Sequence, residues 1–511
     1  MSQQTPPEES PARRPVPDRM ATGVEGLDSI LAGGLPTDRI YLIEGEPGTG
    51  KTTLALQFLM EGERRGEAGL YITLSETKEE LRAVAASHGW SLDGFHIYEM
   101  VPLEDSLKPE EQYTIFHPSE VELSETTSAV LEEVERIRPR RVVFDSLSEM
   151  RLLAREPLRF RRQILALKQY FAGRRSTVLL LDDKVADGKE LQVESIAHGV
   201  ISLEHLAVEY GAERRRLRVI KLRGSRFRGG YHDFNIETGG VRVFPRLVAA
   251  EHRQVAAQES VRSGVAELDA LLGGGLDRGT STLVIGPAGS GKSSLASQFA
   301  VAAAERGERA AVFIFDELRE TFVMRAEGMG IGVRKFVDTG LLTLQQVDPA
   351  ELSPGEFAHA VWRVAEGDGG AGVVVIDSLN GYLNAMPEER FLTLHMHELL
   401  TYLNQQGVVT LLIMAQHGFL GSAMQTPVDV SYLADTVLML RYFEAGGAVR
   451  RALSVVKKRT GTHENTIREM EVTSEGIRVG RVLTDFRGVL TGVPDYQGTK
   501  GSLRVEADDN A

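Results

Sequence analysis

The chain is 511 residues long, too long for one hydrophobic core and sufficient for roughly two to four domains. Its 42% hydrophobic and 25% charged content is ordinary for a soluble globular protein, and no apolar run approaches the ~20 residues that span a bilayer. Cysteine is absent, which excludes disulfides, thiolate metal sites and cysteine nucleophiles, while a net charge of −14 counts against retention on nucleic acid by phosphate neutralisation. The composition therefore predicts a cytoplasmic protein with neither a membrane nor a nucleic acid as its partner.

The N-terminal stretch "MSQQTPPEESPARRPVPDRM" is polar and proline-rich with no apolar core, so residues 1–19 are expected to form a disordered leader. From Met20 the chain reads "MATGVEGLDSILAGGLPTDRIYLIEGEPGTGKTTLALQF", and from Val261 it reads "VRSGVAELDALLGGGLDRGTSTLVIGPAGSGKSSLASQF". Thr22 pairs with Ser263, Asp28 with Asp269, Lys51 with Lys292 and Glu76 with Glu317, all at one offset of 241. An ungapped match over more than fifty residues (Thr22 to Glu76 against Ser263 to Glu317) is a tandem duplication. The seam is expected near "RLVAAEHRQVAAQES", giving a first domain over 20–250 and a second over 260–493.

Within the first copy the strand-like runs are "RIYLIEG", "GLYITLS", "RVVFDS" and "STVLLLDD". In the second they are "STLVIG", "AAVFIFD", "GVVVIDS" and "VVTLLIMAQ". They are continuous and β-branched, as central parallel strands covered on both faces should be. Amphipathic stretches such as "TTLALQFLMEGERRG" and "SSLASQFAVAAAERG" lie between them, so each copy predicts a doubly wound α/β domain.

Between the first strand and the first long helix of each copy stands G-x-x-x-x-G-K-[ST], "GEPGTGKTT" at Gly45–Thr53 and "GPAGSGKSS" at Gly286–Ser294. Glycines there let backbone N–H groups converge on phosphates, and the helix start adds positive potential. Gly48, Thr49, Gly50, Lys51, Thr52 and Thr53, with Gly289, Ser290, Gly291, Lys292, Ser293 and Ser294, are therefore expected to bind ATP. Lys51 and Lys292 would neutralise the terminal phosphates, and the hydroxyls of Thr52 and Ser293 would meet Mg²⁺. Asp145 in "RVVFDSLS" and Asp377 in "GVVVIDSLN" end later apolar strands, where a carboxylate supports the metal or else caps a helix.

A hydrolase or kinase also needs a group that orients or deprotonates the attacking oxygen. Candidates follow the second strand: Ser75 and Glu76 in "ITLSETKEEL", and Asp316 and Glu317 in "FIFDELRETF". The competing reading is a capped helix start with a solvated acidic turn. Late in each copy, "VIKLRGSRFRGGYH" and "VVKKRTGTHENTIRE" place Lys221 and Arg223 opposite Lys457 and Arg459. A Lys-x-Arg alternation on a strand sends both cations to one face, where they could act as arginine fingers on a neighbouring subunit's nucleotide. A solvated edge strand and a nucleic-acid stripe along the basic run at Arg214–Arg228 are the alternatives.

Taken together, "TGVEGLD", "GGLP", both phosphate loops, "FDSLS", "IDSLN", "KLRG", "GGVRVFPRL" and "ADTVLMLRYFE" resemble the KaiC family of RecA-like ATPases from Met20 to about Val493. The resemblance implies two tandem RecA-like P-loop domains, each a mainly parallel sheet flanked by helices. It also implies assembly with itself into a double-ringed homohexamer, with ATP between subunits and Mg²⁺ as cofactor. Contacts from the neighbouring subunit would then come from Lys221, Leu222, Arg223 and Ser225 in one ring, and from Lys457, Arg459 and His463 in the other.

The family's second ring phosphorylates itself on an adjacent Ser-Thr pair. Here "TPVDVSYLADT" keeps Ser431 at the serine position but carries Tyr432 at the threonine position, with Thr426 as a further acceptor. The family's paired glutamates are altered to Ser75-Glu76 and Asp316-Glu317, so Glu76, Asp316 and Glu317 are the catalytic candidates. These departures predict ATPase activity with slow, single-site serine phosphorylation in a regulatory role. The alternatives are a DNA-dependent RecA-like motor or recombinase, and a nucleotide-gated scaffold with little turnover. Residues 494–511 are expected to form a flexible acidic tail, and regulatory protein partners have no signature here.

Overall fold

The computed structural model describes residues 18–100, 118–154, 156–184, 191–207, 211–251, 259–366, 369–384, 392–416, 432–490 and 494–498. They fall into two compact units, one within Met1–Ala207 and Glu213–Arg246, the other within Val208–Ala212 and Leu247–Ala511.

The first unit is built on nine strands: β1 (Ile40–Gly45), β2 (Gly69–Thr73), β3 (His96–Glu99), β4 (Arg141–Asp145), β5 (Thr177–Asp183), β6 (Gly199–Leu206), β7 (Arg214–Leu222), β8 (His232–Glu237) and β9 (Gly240–Phe244). They form one sheet in the order β3-β2-β4-β5-β1-β6-β7-β8-β9. The members from β3 to β6 run parallel, and β7, β8 and β9 extend the sheet as antiparallel hairpins.

The second unit repeats this with β10 (Ser281–Gly286), β11 (Ala310–Ile314), β12 (Leu342–Gln346), β13 (Val373–Asp377), β14 (Val409–Ala415), β15 (Thr436–Ala445), β16 (Ala448–Lys458), β17 (Ile467–Thr473) and β18 (Gly476–Val482). Its sheet order, β12-β11-β13-β14-β10-β15-β16-β17-β18, is the same connectivity. Two mainly parallel sheets flanked by helices match the expected pair of RecA-like domains.

The unbroken apolar runs have a direct cause. Alternate residues of a strand face opposite sides of the sheet. Tyr41 and Ile43 pack with Phe58 and Tyr71 on one face, while Ile40 and Leu42 pack with Leu70, Ile72 and Phe144 on the other. Both faces are dry, so neither parity can be polar. Each such Leu or Ile contributes roughly 1.5–3 kcal/mol by burial.

At three places the structure corrects expectation. The basic segment at Arg214–Leu222 lies between β6 and β8, so it is an interior strand and not a solvated edge. Arg19, assigned to the leader, pairs with Pro36 in a short antiparallel bridge. At the other end, Asp495–Tyr496 pairs with Phe486–Arg487, so the segment assigned to a flexible tail begins with a short strand.

Candidate nucleotide sites

Each phosphate loop links the central strand of its sheet to a helix, Gly45 to Lys51–Arg64 and Gly286 to Lys292–Glu305. Gly50 and Gly291 precede these helices at φ 96° and 97°, a left-handed conformation that favours glycine. Space demands it too: a Cβ on Gly50 would lie 2.7 Å from Ile236 Cδ1, and one on Gly291 would lie 2.9 Å from Met470 Cε. The first-turn N–H groups of each helix have no partner within the helix, which leaves donors aimed at the loop's hollow.

Strand register gathers the other candidates on the same edge. Gly45 lies beside Asp183 and Thr73 beside Asp145, as Gly286 lies beside Ala415 and Ile314 beside Asp377. This carboxyl edge is where open α/β sheets hold ligands.

In the first copy Lys51 Nζ donates to the carbonyls of Gly45 (2.8 Å) and Glu46 (2.9 Å) and pairs with Asp183 Oδ1 at 2.8 Å. Asp145 Oδ2 accepts from Tyr71 Oη at 2.5 Å and from Thr52 Oγ1 at 3.4 Å. Burial pushes the Asp145 carboxyl above the usual range, with the Tyr71 hydrogen bond and Lys51 opposing. Glu76 is also raised, by burial first and then by Asp145, Glu80 and Asp183, and its Oε2 is buried with no hydrogen-bond partner among the described residues. Thr77, not Glu76, caps the following helix Lys78–Ser87, through a reciprocal capping box with Glu80. The helix start is therefore capped as the competing reading held, but Glu76 is not the capping residue.

In the second copy Lys292 Nζ donates to the Pro287 carbonyl at 2.7 Å, and burial lowers its pKa to about 8, with Asp377 opposing. Asp377 is raised to about 6 by burial, against the hydrogen bond from Ser293, and its Oδ2 is buried with no hydrogen-bond partner among the described residues. Of the two acidic candidates, Glu317 is held by Arg325 at 2.5 Å, and Asp316 accepts from the Ser378 hydroxyl. Neither stands as open as Glu76.

The cations of the late basic clusters gather at the opposite edge. Lys221 lies across from Val200, near the amino end of β6, whereas the phosphate loop leaves the carboxyl end of β1. Two strand spacings and about three residues along the strand put Lys221 on the order of 14 Å from its own loop. The Lys-x-Arg alternation is not a strand alternation, because Arg223 and Arg459 each follow the last strand residue. The two cations still converge: Lys221 donates to the Glu194 carbonyl and Arg223 to that of Ser195, while Lys457 donates to Ala434 and Arg459 to Tyr432. Leu222 is buried in the core, which leaves its main chain alone for any outside contact; Ser225 Oγ has no hydrogen-bond partner among the described residues, and His463 is half-buried. Thr426 and Ser431 lie outside the described residues.

Along β7 the basic run is largely neutralised. Arg215 pairs with Glu213, Arg216 with Glu204 at 2.9 Å, and Arg214 is buried. An array of free phosphate-binding cations does not form on this strand.

The family model described as "ATPase: KaiC" matches residues 20–248 and again 261–483. The chain belongs to the KaiC ATPase family. It is 27% identical over 490 residues to the circadian clock protein KaiC3 of Synechocystis sp., covering 94% of this chain and 95% of that protein. It is 28% identical over 487 residues to the circadian clock oscillator protein KaiC of Parasynechococcus marenigrum, covering 93% of each. The KaiC of Synechococcus elongatus matches at 27% over 486 residues, covering 93% of this chain and 92% of that one. Among the described residues no helix is long and apolar enough to cross a membrane.

Sequence reasoning missed Tyr71, Asp183 and Arg325. The two aspartates that end "STVLLLDD" were visible as a strand terminus, but their proximity to Lys51 depends on the β1–β5 register. Tyr71 looked like one more core aromatic, and Arg325 is eight residues from the glutamate it holds.

Proposed function

We propose that the chain binds and hydrolyses Mg-ATP at two sites, one per repeat. The observation that carries this reading is a twice-built arrangement: a left-handed glycine, a buried lysine on the phosphate loop, and a helix-start hydroxyl beside a buried strand-end aspartate. The donor set fits a divalent cation. Thr52 with Asp145, and Ser293 with Asp377, supply a hydroxyl and a carboxylate, and the unpartnered Asp377 Oδ2 is a buried acceptor open to a ligand. Mg²⁺ bound there would screen phosphate charge. Lys51 and Lys292 bind the terminal phosphates, and Glu76 in the first copy accepts a proton from the attacking oxygen. In the second copy Asp316 or Glu317 takes that part once Ser378 or Arg325 releases it.

The distance of Lys221, Arg223, Lys457 and Arg459 from their own loops supports their service to a neighbouring subunit's nucleotide, and hence a ring of copies, hexameric by family likeness. Leu222 by its main chain, Ser225 and His463 would complete that contact. Ser431, with Thr426 second, is the proposed acceptor for slow self-phosphorylation in a regulatory role. A DNA-driven motor has less support because the arginines of β7 are already paired.

The test counts nucleotide. Lys51→Ala and Lys292→Ala should each remove about one equivalent of bound Mg-ATP per chain, since the lysine is the main local counter-charge to the phosphates. A double variant that retains two equivalents overturns the assignment. Phosphopeptide mapping of the 426–432 region after incubation with ATP reads the self-phosphorylation, and an unmodified peptide removes it.

A further inference from the structure

The two repeats share a sheet topology but not the charges around the phosphate-loop lysine. At matching register positions the first copy carries Glu44, Asp182 and Asp183, where the second carries Ile285, Met414 and Ala415. Asp182 is buried and held by Arg151 at 2.5 Å, and Lys184 lies 4.0 Å from Glu44. Asp183 instead meets Lys51, at 2.8 Å. The Ser148 hydroxyl fixes it there, donating to Asp183 Oδ2 at 3.1 Å and lying 3.3 Å from its backbone N–H.

We infer that Asp183 is an affinity-setting residue, an internal anion that competes with the phosphates of ATP for Lys51 and makes the first nucleotide site weaker than the second. Three observations carry it. The ion pair occupies the one side chain the loop supplies for phosphate. The carboxylate is held at the loop, because the β1–β5 register sets its backbone beside Gly45 and the Ser148 hydroxyl donates to its Oδ2. Its surroundings already hold Glu76 and Asp145, so a polyanionic ligand enters a field of its own sign. At the second site the equivalent position is Ala415, and among the described residues Lys292 donates to the Pro287 carbonyl alone.

The inference rests on the nucleotide reading above, and the experiment separates the two. In full-length chains carrying Lys292→Ala, Mg-ATP binding is measured by titration calorimetry with Asp183, Asp183→Asn and Asp183→Glu. Asn should tighten binding about tenfold, the scale of one partly screened charge contact. Glu, which keeps the anion, should stay within about threefold of the parent, a rescue that a merely structural role would not produce. The gain from Asn should shrink as salt rises. In chains carrying Lys51→Ala, Ala415→Asp should weaken the second site by about the same factor, while Ala415→Asn leaves it unchanged. Melting curves without nucleotide check folding, and if Asp183→Asn melts early, the Ala415 pair decides. Unchanged or weaker binding by a folded Asp183→Asn chain overturns the inference alone. If neither parent nor Asn variant binds Mg-ATP at the first site, the nucleotide reading falls and the inference with it.

Discussion

One scaffold carries two differently wired sites. Both repeats hang a phosphate loop from the central strand of a nine-stranded sheet and set an aspartate at the end of the next strand but one. In the first, the aspartate is capped by Tyr71 and the lysine by Asp183, while Glu76 stays open. In the second, Val312 stands at the register position of Tyr71 and Ala415 at that of Asp183, so aspartate and lysine lack those two partners. The acidic residue that could act as base is there the occupied one, tied to Arg325 or Ser378. Duplication thus fixes where the loop, its lysine and the strand-end aspartate stand, and a few register positions decide how each is partnered.

The largest expected effect tests the open base. With the second site disabled by Lys292→Ala, Glu76→Gln should lower ATP turnover about 10²–10³-fold while nucleotide binding changes little. Glu317→Gln, with the first site disabled by Lys51→Ala, should lower turnover less, because Arg325 already holds that carboxylate. Equal losses at the two sites would erase the contrast.

A pH series sharpens the comparison at intermediate size. Asp377 must be ionised to assist a cation, and burial sets its pKa at about 6; Lys292 must be charged to attract phosphate, and burial sets it at about 8. Mg-ATP capture by the second site should therefore be bell-shaped, falling up to tenfold per pH unit below about 6 and above about 8. The linkage to folding has a definite sign. An Asp377 pKa raised above its unfolded value favours the fold at low pH, and that contribution is lost as pH rises through about 6. Stopped-flow capture rates in the Lys51→Ala chain read the profile, and a flat response between pH 5 and 9 would contradict it.

The smallest effect concerns the tyrosine cap. Tyr71→Phe removes one hydrogen bond to the Asp145 carboxylate, worth about 1 kcal/mol. The bond opposes the rise that burial imposes on Asp145, so without it the acid limb of first-site binding should move to higher pH. Titrations of the Lys292→Ala chain across pH, with and without Tyr71→Phe, would show the shift, and coincident curves would assign Tyr71 to packing alone.

Much of this was legible in the chain. The runs "RIYLIEG", "RVVFDS" and "GVVVIDS" are strands because both faces of a parallel sheet are buried, and the loops announce themselves because Gly50 and Gly291 leave no room for a side chain. Less legible were the hairpins after β6 and β15, whose polar strands carry no unbroken apolar signal. Glu317 looked equivalent to Glu76 at its offset of 241, yet the next helix supplies Arg325 to hold it where the first copy has Val84.

The duplication, the strand–loop–helix phosphate motifs and the parallel α/β class follow from the chain alone, because these rest on local periodicity and on glycines that only one backbone shape explains. Which carboxylate is open, which lysine is engaged and where the late cations lie came from the fold. Those depend on which residues of distant strands fall side by side, as Gly45 does with Asp183 and Gly286 with Ala415, and on which side chains become dry enough for their charge to matter.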